Sequence, residues 1–581
     1  MGAGTLTALL METNAACGRL GKATASLNAE VNFDKRGLEK PNTNILPMVF
    51  PVTHVPKIPH ILNRTERIAC YRASRRVHFQ ASSLGADMRN RWSRLWLILA
   101  LMVSPAYGHL PEQVRTMLQA STLPDTALGV AVVRVSDGKL IWSQHLDQQM
   151  QPASTMKVLT AIVGLEQLGP AYRSRTELTT RAPIIDGVLK GDLTLRGLGN
   201  TDITWEDFRR MLLTMRNNGI RHIDGDLLVD RTFFQPSRLD VGVPPFDESP
   251  EFRYNVIPDA LLINMNLAQF DIATTDDGFQ IRLTPALEGV NVISNMSLVE
   301  RACDKWEDGW KVPTTVYASK DEVRVYLEGA FPKNCAVSTN LNVIDRAEYT
   351  ARLFRRLWRE LGGMFSGNVR ELATDVVSVR PGSAGMSKVL AEHRARPLAE
   401  VTRNINKVSD NTIARTIFLT LGSGGAVLPG DVEATTIAKA EREVRTWLKR
   451  NSIDDAGLVL DNGSGLSRSE RISARQLAAV LQAAFRSKWA PEFLSSLPIV
   501  AVDGSMRTRL KDSPAASTAR IKTGGLRNVV SVAGYVTNLV GEPYVVVGMI
   551  NDDRAARAGG RAILDALLDA VARSGTAVAN R

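Results

Sequence analysis

QPASTMKVLTA, residues 151–161, is the stretch from which the rest of this sequence is read. Helical spacing predicts a helix over 155–167, and Pro152 suits its start. Ser154 then lies in the first turn. On a helix, positions i and i+3 share one face, so Lys157 stands within reach of the Ser154 hydroxyl. The positive end of the helix would stabilise negative charge that develops there. A lysine is normally protonated and cannot act as a base. Burial and a neighbouring cation would both lower its pKa, and Lys522 is the candidate for that cation. Val158, Leu159, Ala161 and Ile162 make this a buried helix, which turns a lysine at its start toward a cleft. The plain alternatives are a Ser154 helix cap and a solvated Lys157.

Two further clusters join this one: Ser409-Asp410-Asn411 and Lys522-Thr523-Gly524. Each is weak alone. Ser409 and Asn411 could form an ordinary loop turn, and Lys522 could be an edge-strand lysine that discourages aggregation. S-x-x-K recurs at Ser136–Lys139, inside a predicted hairpin turn, and S-x-N recurs at Ser26–Asn28 and Ser338–Asn340. K-T-G occurs once. One combination alone places all three in order and in a suitable context. Competing chemistries lack their residues. The histidines beyond residue 108 are His109, His145, His222 and His393, and none sits beside a candidate nucleophile in a recognisable local motif. There is no HExxH, no Cys/His cluster with metal spacing and no phosphate-binding GxxxxGK[ST] loop.

The chain has 581 residues, 44% hydrophobic and 23% charged, a normal globular balance that predicts about three to five domains. Its net charge of +11 invites a nucleic-acid reading, but the charge is uneven. Residues 1–108 hold 14 basic and 6 acidic residues, and the other 473 carry only +3. A nearly neutral body argues against nucleic acid as a partner.

The basic segment ends in MRNRWSRLWLILALMVSPAYG, residues 88–108. Arg89, Arg91 and Arg94 precede an apolar run from Leu95 to Val103, then Ser104, Pro105, Ala106 and Gly108. This is the layout of a secretory signal peptide, with cleavage expected between Gly108 and His109. The alternatives are a short buried helix and a single membrane anchor at 95–107, too short for a comfortable span. Such a signal would not work deep inside a chain. Residues 1–87 are therefore read as an over-extended gene model or a disordered leader, with translation starting at Met88. No run of 18 apolar residues predicts a multi-pass membrane domain. In an exported protein Cys303 and Cys335, 32 positions apart, are expected to form one disulfide, against two reduced buried thiols as the alternative.

Along the body, 127–143 reads as strand, turn, strand. Residues 178–395 hold short strand-like runs and the amphipathic stretch Trp205–Met215. A helical segment covers 398–421. The apolar runs VVSVAGYV and YVVVGMI then precede a helix near 558–573. Strands at both ends with helices between them predict an α/β domain carrying a large insertion.

At this point the body resembles the D-alanyl-D-alanine carboxypeptidase/endopeptidases, the serine DD-peptidases of the low-molecular-mass class C penicillin-binding proteins. S-x-x-K, S-D-N and K-T-G are the penicillin-binding set. The likeness extends through PASTMKVLTA, LRGLGNTDIT, GIRHIDGDLLVD, Asn264-Met265-Asn266, NINKVSDN, DNGSGLSR (461–468), VDGSMRTRL (502–510), IKTGGL and SVAGYV, over roughly 125–555. Between Lys157 and Ser409 lie 251 residues, far more than in a class A β-lactamase.

The resemblance implies a mixed α/β fold: a β-lactamase/transpeptidase-like domain whose central antiparallel sheet has helices on both faces. A large insertion forming two smaller β-rich domains would interrupt it. The expected division is 109–177 and 396–581 for the transpeptidase-like domain and 178–395 for the insertion. Within the insertion, an outer part would comprise 178–202 and 290–395, and an inner part 203–289.

The resemblance also implies roles. Ser154 would attack the carbonyl of the penultimate D-Ala of a peptidoglycan stem peptide, and Lys157 would take its proton. Ser409 would relay a proton to the leaving group, and Asn411 would hold the substrate amide. Lys522 would attract the terminal carboxylate. Thr523, Gly524 and Gly525 would bind substrate, and the N–H groups of Ser154 and Gly525 would hold the oxyanion. Neither cofactor nor metal is implied. The expected location is the periplasm, with β-lactams as acylating ligands, room for peripheral membrane association and a homodimer, and no nucleic acid. The alternatives are a serine β-lactamase or esterase on the same scaffold and a non-catalytic peptidoglycan-binding protein. Three positions depart from the family pattern. Gly525 stands where Thr or Ser is common, Arg415 where Glu is common, and Ser505 in place of Thr in the D-G-T segment.

Overall fold

The computed structural model describes residues 108–241, 249–372, 387–423 and 435–575. The leader 1–87 and all of the signal segment but Gly108 lie outside the described residues.

Alternating burial builds the centre. Five strands, β1 (Leu128–Arg134), β2 (Leu140–Gln144), β3 (Arg520–Leu526), β4 (Val529–Thr537) and β5 (Pro543–Asn551), form one sheet in the order β3-β4-β5-β1-β2. Every neighbouring pair is antiparallel. The helices that cover it are α1 (Glu112–Ala120), α2 (Lys157–Leu168), α3 (Asn411–Ser423), α4 (Ala474–Arg486) and α5 (Gly560–Arg573). Successive side chains of a strand point to opposite faces. Val130, Val132, Val546 and Ile550 therefore pack with Ile563, Leu564 and Leu567 of α5 and Val114 of α1. Ala131, Val545, Val547 and Met549 pack on the other face with Leu159, Ile162, Ile417 and Leu477 from α2, α3 and α4. Each fully buried aliphatic side chain contributes about 1.5–3 kcal/mol. This is the expected central antiparallel sheet with helices on both faces.

The insertion leaves and returns at one place. Arg175–Thr180 pairs antiparallel with Lys388–Arg394, so its two ends lie side by side and the core resumes undisturbed. These strands belong to a second five-stranded sheet with Val369–Glu371, Leu227–Asp230 and Leu193–Leu198. Ala268–Thr274 sits between Phe279–Thr284 and Ala336–Leu341 in a three-stranded sheet. Val323–Pro332 is the hub of another. Leu178, Leu227, Phe270, Phe331 and Trp358 share one core. Cys303 and Cys335 are bonded, with 5.3 Å between their Cα atoms.

The strand pairing cuts across the expected outer and inner parts. Leu227–Asp230, expected in the inner part, pairs with Leu193–Leu198 and Val369–Glu371 of the outer part. Ala268–Thr274 likewise pairs with Ala336–Leu341. Alternation within a short run announces a strand but carries no information about its distant partner. The expected helix over 398–421 is also interrupted. A helix over Leu398–Arg403 passes through a wider π-type turn at Asn404–Val408 to Ser409, whose φ is 64°, before α3 begins.

Candidate active site

The turn that carries Ser154 is wound more tightly than its sequence implies. Ala153–Met156 forms a 3-10 turn and the α-helix begins only at Lys157. Ser154 is the one residue of 151–165 that is not buried. The turn is pinned from both sides. The Pro152 carbonyl accepts from Ser531 Oγ at 2.7 Å and from Thr155 Oγ1 at 2.7 Å. The Gln151 backbone exchanges hydrogen bonds with the Asn551 amide at 2.7 and 3.0 Å.

Lys157 is fully buried, and three acceptors surround its Nζ: Ser154 Oγ at 3.0 Å, Asn411 Oδ1 at 2.6 Å and the Ser464 carbonyl at 2.6 Å. Three acceptors match the three protons of an ammonium. If the amine is neutral, its two N–H groups still serve Asn411 and Ser464, and its lone pair faces the one partner that can donate, Ser154 Oγ. Burial, the largest cause, pushes Lys157 down to about 7. Glu470 and Asp410 oppose that shift, and the Arg415 charge adds to it. The sequence pointed to Lys522 as the cation acting on Lys157. The structure puts burial first and adds the Arg415 charge, while the Lys157–Lys522 repulsion is present as well. Lys522 is itself held well below the usual lysine range by burial and by the Lys157 charge.

Lys522 and Ser409 form a second amine–hydroxyl pair. On β3, Ile521 faces the α5 side, so Lys522 points to the opposite face. Its Nζ donates to Ser409 Oγ at 2.9 Å and to the Thr523 carbonyl at 2.7 Å. Although β3 is an edge strand, this lysine is fully buried, unlike the solvent-facing alternative. The left-handed backbone at Ser409 lets the chain turn there, ahead of α3. Asn411 Nδ2 donates to the Tyr254 carbonyl at 3.0 Å, which ties α3 to the insertion. Asp410 caps α3 through the Ile413 N–H at 2.9 Å and pairs with Arg253 at 3.0 Å. Thr523 Oγ1 meets Ser505 Oγ at 2.6 Å, so the serine of the D-G-S segment keeps the hydroxyl contact. A cavity of about 500 Å³ opens beside Ser409 and Asn411 toward Arg253, Tyr254 and Glu307 of the insertion.

All five expected catalytic side chains are thus joined in two hydrogen-bonded sets, with Thr523, Gly524 and Gly525 along β3. Three of these histidines are engaged elsewhere: His145 with Asp125, His222 with Ser366 and His393 with Asn200. Sequence reasoning did not single out the Ser464 carbonyl, which any residue could supply. The quoted segment 461–468 contains it.

The two glycines after Thr523 differ. A Cβ on Gly524 would stand 2.8 Å from the Pro152 carbonyl oxygen and 2.9 Å from the Ser154 nitrogen, whereas one on Gly525 meets nothing within 4 Å. Backbone cannot yield as a side-chain tip can. Gly524→Ala is expected to lower acylation by penicillin about 100-fold by displacing the turn that carries Ser154. Gly525→Ala stays within about threefold, because it keeps its N–H. Parallel acylation rates check the contrast, and equal rates would contradict it.

Residues 110–571 match the family model of the D-Ala-D-Ala carboxypeptidase 3 (S13) family. A D-alanyl-D-alanine carboxypeptidase of Actinomadura sp. (strain R39) is 28% identical over 448 residues, covering 74% of this chain and 79% of that protein. The D-alanyl-D-alanine carboxypeptidase DacB of Haemophilus influenzae is 26% identical over 435 residues, covering 73% and 85%. The crystal structure of penicillin binding protein 4 (dacB) from Haemophilus influenzae superposes with a TM-score of 0.64 at 24% identity, over 79% of this chain and 98% of that one. It shares the fold. Fold and family together define a serine-type hydrolase. The chain belongs to the D-Ala-D-Ala carboxypeptidase 3 (S13) family and is a serine DD-peptidase.

Proposed function

We propose that Ser154 is the nucleophile and Lys157 its general base in an acyl-enzyme reaction on peptidoglycan stem peptides. The observation that carries this reading is the threefold contact of the buried Lys157 amine, one arm of which is the Ser154 hydroxyl. Ser154 Oγ attacks the carbonyl carbon of the penultimate D-Ala, and its proton passes to Lys157 Nζ. The oxyanion is held by the backbone N–H groups of Ser154 and Gly525. When the C–N bond breaks, the leaving amine receives the proton that Lys157 took, relayed through Ser409 Oγ beside Lys522, and Lys157 is neutral again. Water then attacks the acyl-enzyme; Lys157 takes its proton and returns it to Ser154 Oγ as the ester bond breaks. Asn411 orients the substrate amide, while Lys522 and Thr523 attract the terminal carboxylate. A terminal D-Ala and a cross-linking diamino acid differ only as leaving groups, so carboxypeptidase and endopeptidase reactions share this acyl-enzyme. A β-lactam acylates Ser154 by the same attack.

We place this chemistry in the periplasm, reached through the segment 88–108. Among the described residues, no helix is long and apolar enough to cross a membrane.

The base works only when neutral. The neutral fraction of Lys157 grows as pH rises through about 7, so acylation by penicillin is expected to rise about tenfold per pH unit below 7 and to level off above it. Intact mass recorded over time from pH 5 to 9 tests both the adduct and its pH profile. No adduct at any pH, or a rate independent of pH, would overturn the assignment of Ser154 and Lys157.

A further inference from the structure

Beyond the groups that touch Lys157 lies a second set of buried charges. The turn Asn462–Ser464 brings the Ser464 carbonyl to Lys157. It is held by Glu470, which is wholly buried and whose Oε1 accepts the N–H groups of Asn462 at 3.0 Å and Gly463 at 2.8 Å. The turn is seated against the nucleophile. A Cβ on Gly465 would stand 1.7 Å from the Ala153 carbonyl oxygen, and Thr160 Oγ1 of α2 donates to the Gly463 carbonyl at 2.5 Å. The other carboxylate oxygen of Glu470, Oε2, is buried and takes no hydrogen bond among the described residues. Its charge is therefore incompletely neutralised by donors and acts at range on nearby cations. Those cations are Lys157 and Arg415. Arg415, buried on α3, donates to the Val256 carbonyl at 3.4 Å.

We propose that Glu470 is a positioning residue for the reaction: its carboxylate locks the turn that holds Lys157, and its charge offsets that of Arg415. The proposal rests on Lys157 being the base. Two buried charges of opposite sign then act on that amine, and each on its own would displace its working range. Glu470 favours the charged amine and Arg415 the neutral one. Asp410, from the segment before α3, also favours the charged form. Lys522 faces Lys157 from β3. Arg415 in turn feels Asp461, Glu470 and Arg346, and stays cationic although burial lowers it to about 10. Burial raises Glu470 and the Asp461 charge adds to that, while the N–H groups of Asn462, Gly463 and Asp461 oppose it.

Glu470→Gln keeps an oxygen for both N–H groups and removes the charge. The acid limb of the acylation pH profile is expected to move down by about 0.5 unit, so acylation at pH 6 relative to its own plateau rises about threefold. Arg415→Met removes the opposite charge, and its limb is expected to move up by a similar amount. The double variant returns near the wild-type position. A structural clamp alone would lower the rate equally at every pH. An unmoved limb in a folded Glu470→Gln therefore overturns the proposal. If that variant does not fold, an Arg415→Met limb that stays in place or moves down overturns it instead. A wild-type profile with no limb near pH 7 would sink the base assignment itself, a separate result.

Discussion

Ser154→Ala is expected to yield no covalent penicillin adduct and to lower D-Ala release from a D-Ala-D-Ala peptide by at least about 10⁴-fold. The size follows from the site. Ser154 is the one incompletely buried side chain in its turn, and the amine beside it has no other hydroxyl among its hydrogen-bond partners. Water entering the space vacated by Oγ lacks a fixed position and cannot form the acyl bond. The fold survives the change, because Lys157 keeps Asn411 and Ser464 as acceptors. Loss of one hydrogen bond costs about 1 kcal/mol, which in a chain of this size lowers Tm by only about 1 °C. Mass spectrometry and thermal unfolding on one sample separate lost chemistry from lost structure. A penicillin adduct on the variant would show that the nucleophile lies elsewhere.

Lys157→Met is expected to slow acylation by about 10³–10⁴-fold while leaving Ser154 reactive enough for a slow adduct to accumulate. Methionine fills a similar volume but takes no proton. The remaining reactivity, which comes from the oxyanion donors and bound geometry, loses its inflection near pH 7. That loss distinguishes removal of the base from simple displacement of Ser154, which would lower the rate and keep the inflection. The substitution also strands two buried acceptors, Asn411 Oδ1 and the Ser464 carbonyl, at about 1–3 kcal/mol each. Relief from burying an ammonium offsets part of this. A variant that folds and acylates at the wild-type rate would remove Lys157 from the mechanism.

Which residues meet in the candidate site was largely legible in the sequence, because side-chain type and local spacing mark them. Ser154 and Lys157 lie three positions apart and meet at 3.0 Å. The serine's exact local backbone was not legible: a 3-10 turn stands where an α-helical turn was expected, and Ala153 at its start has a positive φ. The same limit applied at Ser409, where a continuous helix was expected and a left-handed residue breaks it. The insertion could be recognised as strand-rich, yet its division failed, because Leu227–Asp230 and Ala268–Thr274 find their partners across long stretches of chain.

By itself the sequence determined the local patterns: the serine–lysine spacing, the strands of the central sheet and the order of the three motifs. These follow from backbone periodicity, which repeats within a few residues. Tertiary structure alone decided which distant groups complete the site. It set Asn411 on Lys157 across 254 positions and Ser409 on Lys522 across 113. It also brought the charges of Glu470 and Arg415 to act on an amine that burial had already made a weaker base. Burial and charge at a point are sums over everything packed there, and no local stretch of chain contains that sum.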